Sequence, residues 1–220
     1  DQATVVLGEA LKQDHMDIYS PEAPLATQAT AIRDWLQNPE HQHLIERVSY
    51  INLSGKNLSR LPAELTRFTN LQELYLADNR LTRVDEISGL TNLVLLDLSN
   101  NPLGLIENLP SSLTMLFAQR TLLVSINLKN LPRLQVLDVS HNGLNLLEVS
   151  HLEQLQMLLI NDNNLKHVLV APLSKLDTLH AFNNPVMTID LSACEHLKYL
   201  KTNRTTDIGT LPKELDIELI

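Results

Sequence analysis

From Val48 to about residue 205, apolar residues recur at fixed offsets. Aligned on the first apolar residue, the rows are VSYINLSGKNL from Val48, LQELYLADNRL from Leu71, LVLLDLSNNPL from Leu93, LTMLFAQRTLL from Leu113 and LQVLDVSHNGL from Leu134. LQMLLINDNNL from Leu155, LDTLHAFNNPV from Leu176 and a worn copy, LKYLKTNRTTD from Leu197, follow. Successive rows start 23, 22, 20, 21, 21, 21 and 21 residues apart. Within a row the fourth and sixth positions are apolar, apart from Thr202 in the last row, while the third, fifth and seventh vary. That alternation predicts a short strand with one face buried. One such unit cannot bury its inner face alone, so the pattern predicts stacked units with paired parallel strands and a shared core.

The ninth position carries a second signal. It is asparagine at Asn79, Asn101, Asn142, Asn163 and Asn184, and is replaced by Lys56, Thr121 and Thr205 elsewhere. Just past a strand, backbone groups lose their ladder partners, and an amide side chain can both donate to and accept from them. The repeat predicts a column of asparagines, with irregular turns where it is broken. The rest of each unit lies on the other side. LSRLPAELTRFTN and LTRVDEISGLTN have room for a short helical or 3₁₀ turn, whereas VSINLKNLPR, NLLEVSHLEQ, KHVLVAPLSK and MTIDLSACEH read as extended or barely helical.

These rows resemble the leucine-rich repeat family, whose consensus is L-x-x-L-x-L-x-x-N-x-L. The resemblance implies an α/β fold: a solenoid shaped as a curved right-handed horseshoe, with a parallel concave β-sheet and about eight repeats of 20–23 residues. It also implies protein recognition on the concave face. The compact repeats look like those of bacterial effectors delivered into host cells, in some of which a catalytic domain follows the repeats. An intracellular regulatory subunit or GTPase regulator is the alternative, with Arg120 and Arg204 as its candidate arginines on the concave edge.

A solenoid exposes core at its ends, and capping units must cover it. Residues 1–46 do not repeat and read as an N-terminal helical cap, 47–205 as the repeats, and 206–220 as a C-terminal cap or truncated repeat. Ile32, Trp35 and Leu36 sit at helical spacing with Leu25 and Ala29 behind them, and Trp35 is expected to fill the open end of the core. Ser20-Pro21 and Asn38-Pro39 read as helix starts.

Composition narrows the function. A net charge of -9 disfavours nucleic acid and anionic membranes as partners. The single cysteine, Cys194, allows no intrachain disulfide, which fits a reducing compartment, and reads as a buried small hydrophobe. The expected location is cytoplasmic, or a host cytosol after delivery. No apolar run approaches the ~18 residues of a membrane span, and the first residues lack the basic and apolar regions of a secretory signal. Phosphate-loop, dinucleotide and zinc motifs are absent, so no cofactor and no metal are expected. Asp138, Ser140 and His141 suggest a nucleophile triad, but residues two apart on a strand should splay outward in parallel, so no enzyme activity is expected.

The outward strand positions define the candidate surface. Leu95, Met115, Val136 and Met157 occupy the third position of consecutive rows and should stack into an apolar row about 15 Å long. Phe117 and Leu159 flank it. Together they would offer roughly 300–500 Å² of apolar surface, at the upper end for an idle patch. Tyr75, Asp97, Asp138, His180, Phe182, Tyr199 and Lys201 complete the predicted binding face. Acidic residues lie toward the N-terminal side, while Lys198, Lys201 and Arg204 mark a basic C-terminal end. The expected partner is a protein bound by a monomer.

Overall fold

The computed structural model describes residues 2–186 and 188–220; Asp1 and Met187 lie outside the described residues. Two helices open the chain, α1 (Gln2–Leu11) and α2 (Leu25–Gln37), followed by the single turn α3 (Gln42–Ile45). The strands are β1 (Tyr50–Asn52), β2 (Glu73–Tyr75), β3 (Leu95–Asp97), β4 (Leu105–Ile106), β5 (Met115–Phe117), β6 (Ser125–Ile126), β7 (Val136–Asp138), β8 (Met157–Leu159), β9 (Thr178–His180), β10 (Tyr199–Thr202) and β11 (Asp216–Leu219). Nine of them form one parallel sheet in the order β1-β2-β3-β5-β7-β8-β9-β10-β11, and β4 and β6 pair separately.

The register is the sequence pattern made physical. Fourth-position residues align across the sheet from Ile51 and Leu74 to Leu179 and Leu200, and each is buried. Sixth-position residues follow them inward. Thr202 occupies this slot in β10, and its Oγ1 is buried without a hydrogen-bond partner among the described residues. Cys194 is buried, as expected.

The asparagine column forms between repeats. Asn142 accepts from the backbone N–H of Thr121 (2.9 Å) and Leu123 (3.0 Å), and donates to the carbonyls of Ala118 (3.0 Å) and Val139 (2.9 Å). Each asparagine thereby links its own turn to the preceding one. The eighth position, just before it, is left-handed in seven consecutive rows, from Gly55 (φ 67°) through Asp78, Asn100, Arg120, His141 and Asp162 to Asn183 (φ 55°). Gly, Asn and Asp, which fill five of the seven, tolerate that region best. Where Lys56 and Thr121 interrupt the asparagines, the next residues, Asn57 and Leu122, are also left-handed (φ 56° and 54°). These match two of the three interruptions; at Thr205 neither Arg204 nor Thr206 is left-handed.

The far sides of the first two repeats carry the expected 3₁₀ turns, Ala63–Arg67 and Asp85–Gly89. In the next two, the extended segments β4 and β6 pair in parallel instead.

The cap departs from expectation in three ways. Ser20 and Pro21 lie in a turn, and α2 starts later, after Pro24. Leu25 is exposed. Trp35 is only half-buried: its ring stacks on His41 (centroids 4.2 Å apart), and the end of the core is filled by Ile32 and Leu36, with Leu7 and Leu11 of α1. The reason is α1 itself, whose Ala3–Gly8 stretch is buried throughout and takes the place assigned to the tryptophan. Glu64 of the first 3₁₀ turn ties the cap down, accepting from Thr4 Oγ1 (3.0 Å) and pairing with Arg33 Nε (3.1 Å). Asn38 does cap a helical start, accepting from the N–H of Glu40 with Pro39 at the first position.

At the other end the sheet continues past the eight rows. β11 joins β10 with Tyr199 opposite Asp216, and its inward-register residues Ile217 and Leu219 remain exposed.

Candidate binding face

The third-position row forms as predicted. Leu95 pairs with Met115, Met115 with Val136 and Val136 with Met157, all in register and all half-buried by their neighbours. The row ends at Thr178, which is 7% exposed. In the fifth-position row the order is Tyr75, Asp97, Phe117, Asp138, Leu159, His180 and Lys201. Phe117 and Leu159 are half-buried beside the apolar row, so the structure brings all six predicted apolar residues onto one face.

Two predicted site residues stand differently. Asp138 was expected to project into solvent but is 6% exposed. Its Oδ1 accepts from both the N–H (3.0 Å) and the Oγ (2.6 Å) of Ser140, folding the carboxylate back onto the sheet between Phe117 and Leu159. Lys201 is no free basic end: its Nζ lies 2.8 Å from Glu218 of β11, a strand the repeat pattern missed, and Lys198 pairs with Asp177 at 3.6 Å. The remaining residues sit at the ends of the sheet. Tyr199 is 51% exposed, Phe182 is half-buried with its ring 6.3 Å from that of His180, and Tyr75 donates to Glu73 (3.0 Å). Burial, then the charge of Lys201, push the His180 pKa down, while Asp138 and Glu218 oppose them. Burial and Glu73 hold the Tyr75 phenol above its ordinary value.

The suspected triad does not assemble. Asp138 and Ser140 do not splay apart, as strand geometry suggested, but bond to each other, and the serine proton is directed to the carboxylate rather than to a base. His141 turns to the next repeat, with Nδ1 3.5 Å from Asp162. Activation of a serine requires a base accepting its proton. Among the described residues no group of three or more potential metal ligands converges, and no helix is long and apolar enough to cross a membrane.

The register, the asparagine column and the nine-stranded parallel sheet together are those of a leucine-rich repeat solenoid. A model described as leucine rich repeats (2 copies) matches residues 69–111. The chain has the leucine-rich repeat fold. This repeat protein is 34% identical over 181 residues to human oligodendrocyte-myelin glycoprotein, covering 74% of the chain and 39% of that relative, so it spans well under half of the relative's length. Its fold is similar to the crystal structure of internalin C2 from Listeria monocytogenes str. 4b F2365, with a TM-score of 0.72 and 24% identity over 81% of this chain and 84% of that one. A chain in an octameric complex of Latrophilin 3, Unc5D and FLRT2 (LRR) matches with a TM-score of 0.59 and 28% identity, over 67% of this chain and 51% of that one.

Outside the nine-stranded sheet the repeats also expose apolar side chains that lie beyond the aligned rows. Leu105, Val124 and Leu146 border a groove of about 490 Å³ beside β6, together with Glu107, Lys129 and Glu148. Leu105 and Leu146 fall at the thirteenth position of their rows and Val124 at the twelfth, beyond the eleven positions that carry the repeat signature.

Proposed function

We propose that this protein is a non-catalytic recognition module that holds a protein partner on its concave sheet. The observation that carries the reading is the unbroken apolar row Leu95–Met115–Val136–Met157, flanked in register by Phe117 and Leu159. Apolar side chains on adjacent strands with no repeat packed over them are available to a partner, and methionines adapt to a partner's shape. Tyr75, Asp97, Asp138, His180, Phe182, Tyr199 and Lys201 border the contact. In this reading residues 1–46 cap the module, 47–205 recognise the partner and 206–220 close the sheet. The chain works as a monomer within a bacterial effector acting on host proteins, in the cytoplasm or a host cytosol.

The test is site-directed photocrosslinking in a cultured animal-cell lysate. A benzophenone amino acid at Val136 or Met157 should trap the same protein adduct. The same probe at Leu169, which is exposed away from the sheet, should not. Phe117→Ala should weaken the adduct, because interface energy concentrates in a few central aromatic and apolar residues. Adducts formed from Leu169 alone would overturn the reading.

A further inference from the structure

The fifth-position row contains an alternation that the apolar patch does not explain. Across β2, β3, β5 and β7 it runs Tyr75, Asp97, Phe117, Asp138, with each residue directly opposite the next. Parallel strands lie about 4.8 Å apart, so the backbones carrying Asp97 and Asp138 stand roughly 5 Å on either side of the one carrying Phe117. Both carboxylates sit in an Asp-x-Ser turn. Asp97 Oδ1 accepts from Ser99 N–H (3.0 Å), and Asp138 Oδ1 accepts from Ser140 N–H and Oγ. The second oxygen, Oδ2, accepts no hydrogen bond in either residue among the described residues, and neither Oδ2 is sealed off as a buried, unsatisfied atom.

The result is an aromatic face bracketed by two carboxylates that are anchored on one oxygen and open on the other. The apolar surroundings include Leu159 beside Asp138 and the Met115–Val136 row alongside. A carboxylate held among apolar groups keeps a stronger field than one in water. An aromatic face attracts cations through its quadrupole. The two aspartates are about 10 Å apart, too far to share one metal ion directly, but a long organic cation can lie over the ring and reach either one. The chain's net charge of -9 adds a general attraction for cationic segments.

We infer that the concave face recognises a partner segment presenting a lysine or arginine among apolar residues, with the cation seated over Phe117 between Asp97 and Asp138. Its aliphatic stem packs on the Met115–Val136 row, and its charge takes the free carboxylate oxygens. This rests on the proposal that the concave sheet is the binding face. It adds the partner's chemistry: an apolar segment without a cation leaves Asp138 desolvated and unpaired on binding, which is unfavourable, and an acidic segment is repelled.

The experiment uses the full chain and a displayed library of random 12-residue peptides. Clones are sorted by whether Val136→Lys abolishes their binding. Those that depend on Val136 should be enriched in a single Arg or Lys flanked by apolar residues. A synthetic clone with that residue replaced by citrulline or norleucine should bind about tenfold more weakly or worse. In the Asp97→Asn, Asp138→Asn double variant the same replacement should matter less than about threefold. That variant keeps the turns, because Asn52 already makes the same bond to Ser54 N–H (2.9 Å) in the first repeat. Clones that need Val136 but lack a basic residue, or that ignore the double variant, overturn this inference and leave the binding face standing. A library that yields no clone dependent on Val136 overturns both.

Discussion

Replacing Asn101 by alanine tests whether the asparagine column holds the solenoid together. Asn101 is 1% exposed. Its Oδ1 accepts from Leu81 N–H (3.0 Å), and its Nδ2 donates to the carbonyls of Leu76 and Leu98 (2.9 Å each). The cost depends on which of these partners has a second bond. Leu76 O also accepts from Asn79 (3.0 Å) and stays satisfied. Leu98 O would share a donor with the next asparagine of the column, but that position is Thr121, whose Oγ1 donates to Ala118 O instead (2.8 Å). Alanine therefore strands one amide and one carbonyl. At about 1–3 kcal/mol for each buried unsatisfied group, the loss is roughly 2–6 kcal/mol.

Asn163 is the internal control. Its donor bonds go to Val139 O and Ile160 O, which also accept from Asn142 and Asn184. Asn163→Ala strands only the N–H of the buried Leu144, beside the half-buried site of the substitution, and should cost about 1–3 kcal/mol at most. The pair Asn79→Ala and Asn101→Ala adds a coupling test. Leu76 O loses both donors only in the double variant, which should exceed the sum of the singles by about 0.5–3 kcal/mol. Urea unfolding followed by circular dichroism gives the free energies. Hydrogen exchange at the Leu81 amide reports the local opening, which matters because repeat arrays need not unfold in two states. If Asn101→Ala costs less than about 1 kcal/mol, or no more than Asn163→Ala, counting shared partners is the wrong way to account for the column.

Three further outcomes follow from buried detail. Thr202→Val should raise the unfolding midpoint, by about 1–3 kcal/mol, because it removes a buried hydroxyl without a partner from a slot that Val139 and Ile160 fill in other repeats; a fall in the midpoint would mean that the hydroxyl is satisfied. Gly8→Ala should loosen α1, since a Cβ there runs into Ile32 and Tyr19, costing about 1–3 kcal/mol, whereas Gly89→Ala, with open space around it, should change the midpoint little. Burial opposes ionisation of Asp162, but hydrogen bonds from Asn161 and Asn183 and the charges of His141 and Arg120 outweigh it and lower its pKa. Asp162 should thus stabilise the fold above its unfolded pKa near 4 and lose that contribution as pH falls through the lower folded value. The gap between wild type and Asp162→Asn in pH-dependent urea titrations should close below about pH 4; a gap that widens there refutes the sign.

The fold was legible because its signals repeat. Leu137 is one residue, but Leu74, Leu96, Leu116 and Leu158 occupy the same slot, so chance matches are averaged away. The same holds for the asparagine column, and even its interruptions were informative: Lys56 and Thr121 each precede an extra left-handed residue. Where the sequence stops repeating, the reading weakened. Helix α1 carries Thr4, Val5, Val6 and Gly8, none of them a strong helix former. It forms because Ala3, Leu7 and Leu11 close the end of the leucine core, a tertiary gain that local preference does not reveal. β11 went unseen because its row begins only 17 residues after Leu197, off the period of the others.

The outward positions pose a different problem. Periodicity assigns a face but not a degree of exposure, because exposure depends on the neighbours across the ladder. Asp97 and Asp138 share a position and a following serine, yet Asp97 is half-buried and Asp138 is 6% exposed. Asp97 stands between Tyr75 and Phe117, whereas Asp138 stands between Phe117 and Leu159 and gains a second bond from Ser140 Oγ. The same contacts that bury Asp138 also fix its carboxylate at the centre of the apolar face, with one oxygen uncommitted. In the sequence Asp138 is only one of two acidic residues in the fifth-position row. With Phe117 beside it and its turn in view, it is, together with Asp97, one of two charges fixed on the face, and the partner's complementary charge is the property by which binding should be judged.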